Sequence, residues 1–158
     1  MTLFYLDSSA WVKRHFREPG SSWINGKFAE GVLFGASTLG LLEVMATCAR
    51  KLGAAATGEA SFQQIEADVL DDWSGFFQME LTPDVVERSL DVARLHALRG
   101  ADSVQLASGS ILREKPTLDA NEFAMVTSDL ELKAAARKAG FFAIDPQEQT
   151  DPSGLSTA

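Results

Sequence analysis

Five short apolar runs, residues 2–6, 32–36, 77–81, 124–127 and 141–144, alternate along the chain with stretches of helical spacing. No other feature limits the possible folds as strongly. Strands buried on both faces read as continuous apolar runs, and joining them in parallel requires a crossover long enough to hold a helix. Residues 2–6 feed a helix over 10–16 through Asp7-Ser8-Ser9; Pro19-Gly20 breaks it, and Ser21 or Ser22 can cap a second helix through Ala29. Residues 39–52 place Leu42, Met45, Ala46 and Ala49 at helical spacing up to Gly53, and after an Ala-rich connector another helix is predicted over 59–76. Thr82-Pro83-Asp84 is a helix start with a hydroxyl cap, a first-turn proline and an acid near the positive end of the dipole. That helix is predicted to end at Gly100, with others over 101–113 and 128–139 and a polar loop over 114–121.

The alternation predicts an α/β fold: a three-layer α/β/α sandwich with a mostly parallel central sheet. It occupies one domain, residues 1–145. Residues 146–158, with Pro146, Pro152 and Ser153-Gly154, read as a loose C-terminal tail. The apolar runs are far shorter than the roughly 18 residues needed to cross a bilayer, so no membrane partner is expected and a cytoplasmic location is. One cysteine, Cys48, rules out an intrachain disulfide and a cysteine-rich zinc site. With two histidines in the chain, a bound metal would have mostly oxygen ligands, which favours Mg²⁺ or Mn²⁺. A formal charge of -8 argues against a broad electrostatic grip on nucleic acid.

In open parallel sheets, ligands bind at the carboxyl ends of the strands. Asp7 and Asp129 follow predicted strands directly, Glu43 lies near the start of the 39–52 helix, and Asp102 begins the helix after Gly100-Ala101. Converging on one rim, four such carboxylates repel one another unless protons or a cation neutralise them, and a divalent ion is the economical solution. Ions held this way can orient a phosphate, generate hydroxide from water and stabilise a leaving oxygen, as phosphodiester cleavage requires. Each of Asp7, Asp102 and Asp129 also stands where aspartate commonly caps a helix. Glu43 sits among Leu41, Leu42, Val44 and Met45, where solvation alone explains it less well. Glu66, Asp68, Asp71, Asp72, Glu87 and Asp91 fall on polar helix faces and read as surface. Glu131 lies within a turn of Asp129, and the sequence leaves its part open. His15 and His96 have no evident acid or nucleophile partner, and no Gly-x-Ser-x-Gly elbow supports a serine triad.

The segments Leu6-Asp7-Ser8-Ser9-Ala10-Trp11-Val12-Lys13, Leu42-Glu43-Val44 with Arg50 downstream, Ala101-Asp102-Ser103-Val104-Gln105-Leu106-Ala107 and Val126-Thr127-Ser128-Asp129 together resemble a PIN domain. The subgroup they look most like is the VapC-type toxin ribonucleases of bacterial and archaeal toxin–antitoxin systems. The likeness runs in order from about Leu3 to Asp145. It implies a Mg²⁺-dependent endoribonuclease, with Mn²⁺ able to substitute, whose acidic quartet is Asp7, Glu43, Asp102 and Asp129. Asp7 and Asp102 are then the most direct metal ligands, and Ser9 and Thr127 orient a carboxylate or water from just behind. The resemblance further implies an RNA substrate, a cognate antitoxin lying across the active-site groove, and pairing of two toxin chains.

Lys13, Arg14 and Arg17 cluster after Asp7, Arg50 and Lys51 end the Glu43 helix, and Lys133, Arg137 and Lys138 follow Asp129. A local basic rim can therefore face phosphates, with Lys13 and Arg14 as candidate substrate contacts, while Arg50, Lys51, Arg137 and Lys138 read at least equally well as cations at helix ends. Trp11, Phe16, Trp23 and Phe28 either line an apolar groove for an antitoxin helix or belong to the core. Two other phosphoryl-handling folds fit poorly. A haloacid-dehalogenase-like domain expects a second aspartate where Ser9 stands, and a receiver domain expects paired acids after the first strand and a late lysine. The non-enzymatic alternative is a PIN-like interaction module that has kept its acids.

Overall fold

In the computed structural model, which describes residues 2–54, 59–116 and 122–149, the first apolar run forms β1 (Leu3–Leu6), and the sheet grows outward from it on both sides. The helices α1 (Ser8–Trp11) and α2 (Ser21–Ala29) lead to β2 (Leu33–Ser37), then α3 (Thr38–Ala54), α4 (Glu59–Ser74) and β3 (Phe77–Met79). After α5 (Pro83–His96) and α6 (Gly100–Arg113), the chain returns to the other side of β1 as β4 (Phe123–Val126), followed by α7 (Leu130–Lys138) and β5 (Phe142–Ile144). The strand order is β3-β2-β1-β4-β5 with every pairing parallel, β1 being matched as Leu3 to Leu33 on one side and Leu3 to Phe123 on the other.

The side-chain period of two divides this sheet between two cores. Leu3, Tyr5, Phe123, Met125 and Ala143 pack with Val92, Leu106, Leu112 and Leu132 from α5, α6 and α7. Phe4, Leu6, Phe34, Ala36, Val126 and Ile144 pack with Trp11, Ile24, Val44, Cys48 and Val69 from α1 to α4. Helices therefore cover both faces, giving the three layers that the alternation of runs predicts. On the first face α6 lies unusually close to the sheet. A Cβ on Gly109 would meet Met125 at 2.6 Å, and one on Gly35 of β2 would meet Leu112 at 2.6 Å, so both glycines permit the approach that brings the start of α6 over the strand ends.

Some boundaries differ from the sequence expectation for local reasons. The helix predicted over 10–16 begins at Ser8, because Asp7 caps it, and tightens into a 3-10 turn at Val12–Arg14. The helix predicted to reach Gly100 ends at His96; Ala97 turns left-handed at φ 53 and Arg99 is extended ahead of α6. The helix predicted from Ser128 begins at Leu130, where the Asp129 carboxylate accepts the Leu132 N–H. The start of the expected loose tail is ordered: Pro146–Glu148 form a 3-10 turn, Asp145 and Pro146 are buried, and Gly20 at φ 92 leaves room for Pro146. Residues 150–158 of that tail, 117–121 of the expected polar loop and 55–58 of the Ala-rich connector lie outside the described residues.

Candidate active site

β1 and β4 are neighbours, but the chain leaves β1 toward β2 and only later crosses back to β4, so their carboxyl ends form a switch point where a crevice opens. Asp7 sits there, its N–H bonded to the Val126 carbonyl. Its Oδ2 gathers three donors: the Ser9 hydroxyl at 2.6 Å, the Thr127 hydroxyl at 2.9 Å and the Ser9 amide at 3.3 Å. Each hydroxyl has one proton, and both are directed at Asp7. Their oxygens are thereby left to accept, Ser9 Oγ from the Ser128 N–H at 2.9 Å and Thr127 Oγ1 from the Asp129 N–H at 3.0 Å. Ser9 and Thr127 thus lock the loop after β4 to the loop after β1 through a buried carboxylate. Burial pushes the Asp7 carboxyl up from its ordinary range, against the pull of those donors.

Asp129 divides its two oxygens. Oδ1 caps α7 through Leu132, while Oδ2 lies 3.5 Å from Nη2 of Arg99. Arg99 Nε also donates to Asp102 Oδ2 at 3.2 Å, so one guanidinium spans acids from two elements. The capping alternative weighed for the aspartates accordingly applies to Asp7 and Asp129 alongside their place in the site, but not to Asp102, since the residue at the cap of α6 is Arg99. Glu43, one turn into α3, accepts from Gln105 Nε2 at 2.7 Å. Gln105 is itself held by the Tyr5 hydroxyl at 2.8 Å and the Ser37 hydroxyl at 3.0 Å, both on Oε1, so its amide can only present nitrogen to Glu43.

The acids feel one another. Burial raises the Glu43 carboxyl first, and repulsion from Asp7 and Asp102 adds to it; burial raises Asp102, with repulsion from Asp129 adding and Arg99 opposing. Among the described residues no three His, Cys, Asp or Glu side chains are close enough to chelate an ion as they stand. The arrangement is a cluster of mutually repelling oxygen donors with one arginine drawn into it. Glu131 lies at its edge, in an open depression with Arg99, Ser128, Asp129 and Leu130.

The candidate substrate contacts have other partners. Lys13 is buried and pairs with Glu18 at 3.0 Å, while Arg14 bonds Asp72 at 3.0 Å and Asn25 at 2.9 Å and lies over the Phe28 ring. Asp72, expected at the surface, is buried: it accepts from Trp11 Nε1 at 3.2 Å, and His15 Nε2 lies 3.1 Å away without the alignment of a directional hydrogen bond. Trp11 is core rather than groove, and Phe16, Trp23 and Phe28 are partly buried against the same cluster. The exposed apolar side chains beside the acids are Leu42 and Leu130 instead. Ser37 and Arg99 lie outside the segments that resemble a PIN domain, and Gln105 and Ser128 lie inside them without a role that the sequence gives; Gln105 stands three residues after Asp102, on the same side of α6.

No protein-family model matches the chain. It is 37% identical over 108 residues to "Ribonuclease VapC45" of Mycobacterium tuberculosis (strain CDC 1551 / Oshkosh), covering 68% of this chain and 75% of that protein, and equally so to "Ribonuclease VapC49" of Mycobacterium tuberculosis (strain ATCC 25618 / H37Rv). Among solved structures it is similar to a toxin–antitoxin complex from Klebsiella pneumoniae, with TM-score 0.62, 16% identity and coverage of 94% of this chain and 100% of that one. It is also similar to PAE2754 from Pyrobaculum aerophilum, with TM-score 0.57, 20% identity and coverage of 92% and 90%. At those identities the structural likenesses speak for the fold. No helix among the described residues is long and apolar enough to cross a membrane.

Proposed function

The chain belongs to the VapC ribonucleases of the PIN-domain family, and from that premise we propose that it is a divalent-metal-dependent endoribonuclease, the toxin of a toxin–antitoxin pair, with Asp7, Glu43, Asp102 and Asp129 as its catalytic acids. What supports this reading is that the four carboxylates lie near enough to perturb one another at the carboxyl ends of the strands: burial raises Glu43 and Asp102, repulsion from the neighbouring acids adds to it, and a guanidinium lies between Asp102 and Asp129.

The donor set fits Mg²⁺ or Mn²⁺. It is all oxygen, as hard divalent ions prefer, and its acids repel one another in a way that a cation would relieve. Asp7, Asp102, Glu43 and Asp129 would hold it, and when bound it would supply a nucleophilic water at neutral pH and charge neutralisation for the phosphate. The chain's own part is positioning. Ser9 and Thr127 hold Asp7 Oδ2 in one orientation, and Gln105 does the same for Glu43 from the core. Carboxylates not bound directly are placed to accept protons from water or to orient it.

The substrate is RNA on this reading, met at the open depression beside Asp129. The partner is a small antitoxin whose apolar side chains cover Leu42 and Leu130, 64% and 71% exposed beside Glu43 and Asp129, and whose basic groups reach the acids. Two chains pair in solution, which sedimentation velocity tests. The deciding assay incubates structured RNA with the protein in Mg²⁺, Mn²⁺ or EDTA. Asp7→Asn, Asp102→Asn and Glu43→Gln are each expected to abolish cleavage with circular dichroism unchanged. Near wild-type cleavage by clean Asp7→Asn or Asp102→Asn protein would show the four-acid site to be wrong; no cleavage by wild type in any metal would favour a non-catalytic interaction module.

A further inference from the structure

Arg99 is a cation at the site that the four-carboxylate chemistry does not use. It follows the left-handed corner at Ala97 and contributes no side-chain cap to α6. Its side chain is 73% exposed, yet it turns inward to Asp102 Oδ2 at 3.2 Å and Asp129 Oδ2 at 3.5 Å. Both ion pairs described for the four acids come from this one side chain; the nearby Lys133 is paired instead with Asp145 and Glu148.

We propose that Arg99 is an exchangeable counter-ion, which neutralises Asp102 and Asp129 in the metal-free protein, yields them to a divalent cation, and then contacts the phosphate backbone of the RNA. The inference rests on the reading above for the metal site at these acids and for the RNA contact. Three observations carry it. The guanidinium touches each acid with a single nitrogen instead of gripping one acid with its two-pronged face, and its own end of each pair is open to solvent, where such contacts are weak enough to exchange. The four acids are not gathered for chelation while two of them face Arg99. The open depression beside Asp129 is lined by Arg99 itself, with Ser128, Leu130 and Glu131, so a displaced guanidinium remains at the mouth. In a chain of formal charge -8, a phosphate approaching four acids needs a local cation, and arginine's planar donors match phosphate oxygens.

Arg99→Gln and Arg99→Lys test this, since an exposed side chain can be changed without disturbing the core; circular dichroism checks that. Mn²⁺ titrated calorimetrically without RNA should bind Arg99→Gln on the order of fivefold more tightly than wild type, with Arg99→Lys between them. In RNA cleavage, Arg99→Gln should reach half-maximal rate at lower Mn²⁺ while its KM for RNA rises about tenfold and kcat changes less. Mn²⁺ affinity equal within about twofold across the three proteins, or no Mn²⁺ binding by any of them, overturns the exchange; an unchanged KM for RNA overturns the phosphate contact. Tighter Mn²⁺ binding by Arg99→Gln in a protein whose wild type never cleaves RNA would support the exchange and defeat the ribonuclease reading. Cleavage by wild type with Mn²⁺ affinity indifferent to Arg99 would do the reverse.

Discussion

Replacing Gln105 by glutamate keeps its shape and changes one atom, and the structure says which atom matters. Gln105 is 1% exposed, with Oε1 accepting from Tyr5 and Ser37 and Nε2 donating to Glu43 at 2.7 Å. In Gln105→Glu the oxygen facing Tyr5 and Ser37 keeps its donors, but the other oxygen confronts the Glu43 carboxylate at hydrogen-bond distance. The two can coexist there only by sharing a proton, so the pair titrates as a unit and keeps one proton to higher pH. Two carboxylates facing each other with no proton between them leave a desolvated charge without a donor, which costs on the order of 3 to 4 kcal/mol. Glu43 is only part-buried, which solvent discounts to about 2 to 3 kcal/mol. The sign follows from linkage. The folded value lies above the unfolded one, so the variant's stability relative to wild type is intact below about pH 4 and falls away as pH rises above it. Urea melts in EDTA between pH 4 and 8 measure it, and subtracting the wild-type curve removes the slope that Asp7, Glu43 and Asp102 already contribute. Gln105→Leu is the control: it strands the Tyr5 and Ser37 hydroxyls at every pH, at a cost of about 2 to 5 kcal/mol, and loss of the Nε2 donor to Glu43 adds a fall with pH shallower than that of two facing carboxylates. A Gln105→Glu curve parallel to wild type would mean that the amide does not meet Glu43.

Wild-type protein freed of metal should itself lose stability as pH rises above about 4, because the carboxyls of Asp7, Glu43 and Asp102 are raised in the folded state. Adding Mn²⁺ at 100 times its dissociation constant should restore about 2.7 kcal/mol at neutral pH, and a melting temperature unmoved by millimolar Mn²⁺ would count against a shared metal pocket. Thr127→Val, a change of one atom in a fully buried side chain, removes a donor to Asp7 and the acceptor of the Asp129 N–H. It should cost about 1.5 to 3 kcal/mol in urea melts, and a neutral result would break the proposed link between the two loops. Asp72 behaves with the opposite sign. Although burial works against its charge, contacts from His15, Arg14 and Trp11 hold its carboxyl below the ordinary range. Asp72→Asn should therefore cost about 2 to 3 kcal/mol at pH 7, an excess over wild type that shrinks as pH falls below about 4; a penalty independent of pH would place its origin in packing.

Why some of this was readable in the sequence and some was not comes down to what each residue's role depends on. The strands were legible because burial on both faces of a parallel sheet leaves no polar position in the run, as at Leu3–Leu6 and Phe123–Val126. Asp7 and Asp129 were legible because their place depends on a strand end, which is a local property. Gln105 was not, because its role is set by Tyr5 and Ser37 from two different strands and by Glu43, 62 residues away in the chain. Helical periodicity put Asp72 on a polar face of α4, yet that part of the helix is covered by Trp11, Arg14 and His15, and periodicity within one helix says nothing about what packs over it. The same limit hid Asp145. After the last apolar run it reads as the edge of a tail, but it is buried, accepts from the Ser128 hydroxyl at 2.8 Å and pairs with Lys133 at 3.2 Å.

That last contact bears on the site. Ser128 gives its backbone N–H to Ser9 and its hydroxyl to Asp145, so the loop between Thr127 and Asp129 is held from the β1 side and from the chain beyond β5 at once. Asp129 can then divide its oxygens between the α7 cap and Arg99 without the loop swinging. Ser9 and Thr127, which aim Asp7, stand two residues from an acid in the sequence and are readable there; Gln105 and Asp145 act from wherever the fold brings a donor or acceptor, and the structure reveals those.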